Sequence, residues 1–199
     1  MTELVQRMGQ GDVIANIDTL EANTDLVETK LDTLHTDLTA TRIGKGVAVT
    51  LTRTADTNAY TANDVVGAAT GSTAALTFAN IAAAAGDHII TSVAMEIDAT
   101  AVIAGQTSYR LYLYNVTPPS ALGDNAAFDL PSGDRASFLG YVDLGTPVDL
   151  GSTLYVEASG VNKQLTLAST SLFAYLVTNG AYTPASATVH VITLHTIPA

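Results

Sequence analysis

The stretch Leu51 to Gly67, LTRTADTNAYTANDVVG, sets Asp56, Asn58 and the Asn63-Asp64 pair close together beside an arginine and a tyrosine. Oxygen donors at such spacing suggest a hard-cation loop, whose EF-hand form needs glycine at position six and a bidentate glutamate at position twelve. Counted from Asp56, those positions hold Thr61 and Gly67, and the pattern fails at both. What remains is a strand that leaves its sheet at Arg53, passes through Asx-type turns at Asp56 and Asn58, and re-enters as DVVG. A second acidic group, Asp124, Asn125, Asp129 and Asp134, lies in the polar segment Asn115 to Ser137 without ligand spacing and reads as a solvated loop.

The remaining chemistry is sparse. His190 and His195 stand five apart on one expected strand, which points them to opposite faces and prevents joint chelation. His88 reads as an ordinary strand residue, and His35 falls off the seam of the helix described below. No HExxH, GxSxG, Walker or GxGxxG motif occurs, and there is no cysteine to act as nucleophile, thiolate ligand or disulfide partner. The expectation is therefore a non-enzyme without catalytic, cofactor-binding or metal-ligating residues. Tyr112 and Tyr114, alternating with Leu111 and Leu113, share a strand face about 7 Å apart. Such a pair suits stacking on sugar rings or on a protein partner; the alternative is packing against a neighbouring subunit or a second sheet.

The elements that must position these residues fall into two parts. Apolar side chains recur at Val13, Ile17, Leu20, Val27, Leu31, Leu34 and Leu38, with Thr24 in the remaining slot, in alternating steps of four and three. This is a heptad with Ile17, Thr24, Leu31 and Leu38 at a and Val13, Leu20, Val27 and Leu34 at d. Asp12 suits an N-cap, Arg42 and Lys45 complement the C-terminal end of the helix dipole, and Gly44 and Gly46 stop the helix. So narrow a stripe fits copies of itself better than a globular core, although an amphipathic helix packed along the rest of the chain is the competing reading. The expected organisation is an N-terminal arm at 1–12, a coiled-coil helix at 13–41, a glycine hinge at 42–46 and a β domain at 47–199. In the arm, Leu4, Val5 and Met8 are candidate anchors.

After Gly46 the period becomes two. Val47, Val49 and Leu51 oppose Ala48, Thr50 and Thr52, and Val93, Met95 and Ile97 oppose Ala94, Glu96 and Asp98. Further strands are expected at 74–78, 108–115, 138–144, 153–159, 164–169, 171–178 and 187–195. Eight to ten short strands without interleaved helices imply a mainly β fold: an antiparallel sandwich or jelly roll preceded by the helical coiled coil.

Nineteen acidic against eight basic residues give a formal charge of −11, a field that repels phosphate backbones and argues against nucleic acid as a partner. No apolar stretch reaches the roughly 20 residues of a membrane span, and the opening MTELVQRMGQGD has neither a basic start nor an apolar core, so neither membrane insertion nor a cleaved secretory signal is expected. Only 14% of residues are charged, which accords with extracellular or virion structural proteins.

Four blocks, TRTADTNAYTANDVVG (52–67), LTFANIAAAAG (76–86), LYLYNVTPPSALGDNAAFDL (111–130) and LFAYLVTNGAYTPAS (172–186), occur in an order that resembles a family of tailed-bacteriophage and prophage head-associated structural proteins. The resemblance spans nearly all of 47–199 and leaves the helix as an added stalk. It implies a capsid decoration, cement or head-fibre protein, usually trimeric, made in the host cytoplasm and placed on the capsid surface. Its implied partners are its own copies and the major capsid protein or other virion proteins; it carries over no catalytic residue. The rival reading is a tail-fibre or adhesin module that holds a host glycan on the long loop or the Tyr112 and Tyr114 face.

Overall fold

The computed structural model describes the backbone at 2–42, 44–68 and 74–199, with side chains described at 14–36, 44–68 and 74–199. The chain forms two compact units, Met1–Arg42 and Ile43–Ala199. Among the described residues, no helix is long and apolar enough to cross a membrane.

The first unit is one helix, α1 (Thr2–Arg42). It begins before the cap expected at Asp12 and absorbs the segment expected to form a separate arm. Gly9 and Gly11 within it cost roughly 1 kcal/mol each against alanine, but a started helix gains a hydrogen bond with each residue it adds. The glycine hinge is also narrower than expected, because Lys45 and Gly46 already belong to the first strand. The hydroxyls of Thr19, Thr24, Thr29, Thr33 and Thr36 each donate to the carbonyl four residues back, so these poor helix formers satisfy their polar atoms within the helix itself.

The second unit contains ten strands: β1 (Lys45–Thr52), β2 (Val65–Val66), β3 (Leu76–Phe78), β4 (Gly86–Ile97), β5 (Tyr109–Tyr114), β6 (Phe138–Gly145), β7 (Val148–Asp149), β8 (Leu154–Leu167), β9 (Leu172–Thr178) and β10 (Val189–Pro198). One sheet runs β1-β10-β4-β8-β7 and the other β2-β9-β5-β6, with β3 beside β2 on the same edge of β9. All pairings are antiparallel, and four sets of them nest along the chain. β5 pairs with β6, β4 with β8, β2 and β3 with β9, and β1 with β10. A single antiparallel ribbon wrapped into two sheets in this way is a jelly roll.

The period-two pattern drives the packing. Val93, Met95 and Ile97 of β4 face Leu111 and Leu113 of β5 and Leu172, Ala174 and Leu176 of β9 in one buried cluster, each such side chain contributing roughly 1.5–3 kcal/mol of burial. β9 does not alternate, because both its faces are covered: Tyr175 and Val177 belong to a second cluster under the 115–137 loop, with Val65, Ala74 and Tyr114. The strands expected at 153–159 and 164–169 are one long strand, β8. It passes through a three-residue bulge, since Ser92 faces Ser159 while Ile90 faces Lys163. The two-residue strands β2 and β7 were too short for periodicity to reveal.

Candidate functional site

Arg53 ends the alternating series Val47, Val49, Leu51 and lies on the same inward face, 2% exposed. Its backbone N–H donates to Thr188 O, while its side chain enters a buried network at one end of the sandwich. Nε donates to the Tyr60 hydroxyl, Nη2 pairs with Asp56 at 3.0 Å and with Asp124 at 3.5 Å, and Nη1 donates to Ala185 O at 3.0 Å. Tyr60 in turn donates to Asp124 Oδ1 at 2.6 Å, and the same oxygen accepts from Gly67 N at 2.8 Å. Burial alone would lower the Arg53 pKa, but Tyr60, Asp124 and Asp56 outweigh it and hold the guanidinium above its ordinary value. Burial, reinforced by Asp124, pushes the Tyr60 phenol far above its ordinary range.

The two oxygen-rich segments therefore meet, but their carboxylates serve as caps and clasps. Asp56 closes the expected Asx turn by accepting from Asn58 N at 3.2 Å. Asp64 accepts from Thr61 N at 2.6 Å, with Asn63 in the left-handed region at φ 71°. Asp134, expected to be solvated, is 2% exposed and accepts from the N–H and hydroxyl of Ser120. Asp129 is exposed. The glycine that closes the opening stretch is required by space: a Cβ on Gly67 would lie 2.3 Å from the Ala74 Cβ.

Of the two readings of the tyrosine pair, packing and an open stacking face, the structure buries Tyr114 and half-covers Tyr112. Tyr114 is 1% exposed beneath the 115–137 loop, edge-on to Tyr175 with ring centroids 5.9 Å apart, and burial raises its pKa. Tyr112 stacks on Phe128 of that loop at 3.8 Å. The long loop thus folds back as a lid on its own sheet, and a glycan reading that depends on Tyr114 loses its platform. Within the chain, the long loop and not the second sheet packs on the pair.

His190 and His195 do face opposite ways, His190 buried and His195 exposed. His190 is 1% exposed and its Nδ1 has no partner among the described residues. Burial, with Arg53 nearby, lowers its pKa to about 4. A cavity of about 20 Å³ adjoins it, lined also by Gln106, Tyr182 and Thr188. Such a space is large enough for one water.

On α1, Ile17 is 50% exposed, Leu20 69%, Val27 62%, and Leu31 and Leu34 63% each. The seam therefore carries uncovered apolar surface throughout its described length. Thr24 sits in it with its hydroxyl satisfied by Leu20 O at 2.9 Å. The side chains of Leu4, Val5, Met8, Val13 and Leu38 lie outside the described residues.

No family model and no curated relative matches the chain. Solved structures do. The capsid of Ralstonia phage GP4 is 12% identical over 79% of this chain and 84% of that one, with a TM-score of 0.38. The cyanophage Pam1 capsid is 17% identical over 79% and 86%, at 0.31, and the PRD1 vertex protein P5 is 15% identical over 76% and 96%, at 0.32. The nested strand pairing within this chain defines its architecture independently of these similarities.

Sequence reasoning missed three cross-chain arrangements: the Arg53, Tyr60 and Asp124 network, the Tyr112 and Phe128 stack, and a cleft between β6 and β8. The first left a signal. The parity that put Leu51 inside also put Arg53 inside, and an arginine on a buried strand face requires a partner.

Proposed function

We propose that the protein is a structural component of a virion, a homotrimeric capsid decoration, cement or head-fibre protein whose work is mechanical rather than catalytic. The uncovered a/d stripe of α1 carries the oligomeric part of this reading. At the exposures given above, Ile17, Leu20, Val27, Leu31 and Leu34 leave a continuous apolar seam in water, and pairing with identical helices removes it. The four ordered sequence blocks and the jelly-roll topology, one recurrent in viral shells, support the virion part. Three copies on one stalk would multiply weak contacts with the major capsid protein through effective concentration. Residues 1–12, through Leu4, Val5 and Met8, are the proposed docking end.

Two measurements test the reading. Mass in solution should be three times the 20.5 kDa of the chain, and a stable monomer defeats the coiled coil. Labelling intact particles should place the protein on the head, with deletion of residues 2–12 leaving trimers intact but absent from virions. Normal incorporation of the truncated protein removes the docking role.

A further inference from the structure

β6 is the free edge of its sheet, and β7 covers only Leu154 and Tyr155 of β8, leaving the rest of β8 as the edge of the other sheet. Between these two edges lies a shallow, open cleft of about 530 Å³. Tyr141 and Asp143 line it from β6, Ser159 and Lys163 from β8, with Val142 and Val161 as its apolar part.

Both walls depart from regular strand geometry. β8 inserts Gly160, Val161 and Asn162 opposite Thr91, with φ of 63° at Gly160 and 48° at Asn162. In β6 the register slips past Leu139, and Gly140 sits at φ 92°. Bulges of this kind re-aim side chains. Here they bring Lys163 across to β6, where a Cβ on Gly140 would stand 2.7 Å from Nζ. No carboxylate pairs with Lys163 among the described residues, although acidic residues outnumber basic ones more than two to one in the chain. Asp143 is already engaged, accepting from Arg110 Nε at 2.7 Å, and the Arg110 guanidinium lies 4.1 Å from the Tyr141 ring centroid. The arginine thereby neutralises the acid and orients the ring, whose residue remains 46% exposed.

We propose that this cleft binds an acidic saccharide, with the Tyr141 ring as the stacking surface, Lys163 as the counter-ion of the sugar carboxylate, and Asp143 and Ser159 as partners for hydroxyls. The ligand class follows from the donors. A neutral sugar leaves the half-buried ammonium unpaired, and a phosphate group, better served by several cations or a row of backbone N–H groups, makes no use of the aromatic ring. The site is built by β6 and β8 alone and stands whether the protein sits on the head or elsewhere on a particle.

The test is an NMR titration of the full chain with sialyllactose and with a glucuronate-containing tetrasaccharide, against lactose and inorganic phosphate. Binding should move the amide signals of residues 141–143 and 159–163 with at least one acidic sugar and with neither control. Lys163→Gln and Tyr141→Ala should each weaken that binding about tenfold, the loss of one charge-assisted or stacking contact, while Tyr141→Phe retains it and the urea midpoint stays fixed in all three. Silence with both acidic sugars at millimolar concentration, equal shifts with lactose or phosphate, or full binding by Lys163→Gln overturns the proposal.

Discussion

The Tyr60 hydroxyl donates to Asp124 Oδ1 at 2.6 Å across 64 positions of sequence, tying the first loop of the β unit to the long loop that covers the β2-β9-β5-β6 sheet. Arg53 sits behind both, its charge shared between Asp56 and Asp124. Removing any member leaves buried polar atoms without partners.

Tyr60→Phe should therefore lower stability by about 1–3 kcal/mol, because Asp124 and Arg53 each lose a bond they cannot replace. Asp124→Ala should cost more, about 3–5 kcal/mol, since the buried guanidinium then keeps only the partly exposed Asp56 as counter-charge. Urea unfolding of both variants measures this, and equal small losses would show the network to be slack.

Tyr114→Ala should cost about 3–5 kcal/mol, the loss expected for emptying a fully buried aromatic site. It should also speed proteolytic cleavage within 115–137, because the loop rests on that ring. A cost under 1 kcal/mol with unchanged cleavage would mean that the loop is held elsewhere.

Acid should weaken the fold through His190. Its folded pKa of about 4 lies below the ordinary value near 6.5, so the unfolded chain binds the extra proton between those limits. Stability from this group is full above about pH 6.5, falls as pH drops, and is gone below about pH 4, a loss of roughly 3 kcal/mol. His190→Gln should flatten that part of the thermal midpoint against pH curve. An unchanged slope would assign the acid sensitivity to the carboxylates.

In the proposed coiled coil, Thr24→Ile should raise the melting temperature of the oligomer, since a β-branched apolar residue at a strengthens the seam. Leu31→Asp should dissociate it. Sedimentation at several concentrations reads both effects, and a Leu31→Asp protein of unchanged mass would place the subunit contacts elsewhere.

Ala187 occupies the left-handed region at φ 54°, where a side chain costs about 1–2 kcal/mol. Ala187→Gly should relieve that strain, partly offset by the greater freedom of glycine in the unfolded chain, for a net gain of about 0.5 kcal/mol. A lower urea midpoint than the parent protein counts against the strain.

The sandwich was legible because Val93, Met95 and Ile97 alternate with Ala94, Glu96 and Asp98, and a half-buried strand leaves that mark in any sequence. β2 left none, since two residues have no period. The covering of Tyr114 was hidden for a different reason. The loop that buries it brings Phe128 onto Tyr112 through a reversal of the chain, and aromatic residues in polar loops look alike whether they fold inward or not. The β6 and β8 cleft was hidden most deeply, because Lys163 reaches Gly140 only through two bulges that depend on pairing register. Its residues share no spacing in the chain.

The nested pairing also orders events in time. The β5 and β6 hairpin joins residues near one another in sequence, and once it forms, each outer pair, β4 with β8, then β2 and β3 with β9, then β1 with β10, closes a loop already shortened by the one inside it. Loop-closure entropy alone therefore favours assembly outward from the 115–137 loop, with the pair that joins Lys45 to Thr196 closing last. The β unit should fold slowly, as chains dominated by distant pairings do, while the helix needs only local contacts to form. On a nascent chain α1 is made before β10, so in the proposed trimer the copies would be tethered together while their sandwiches are still open.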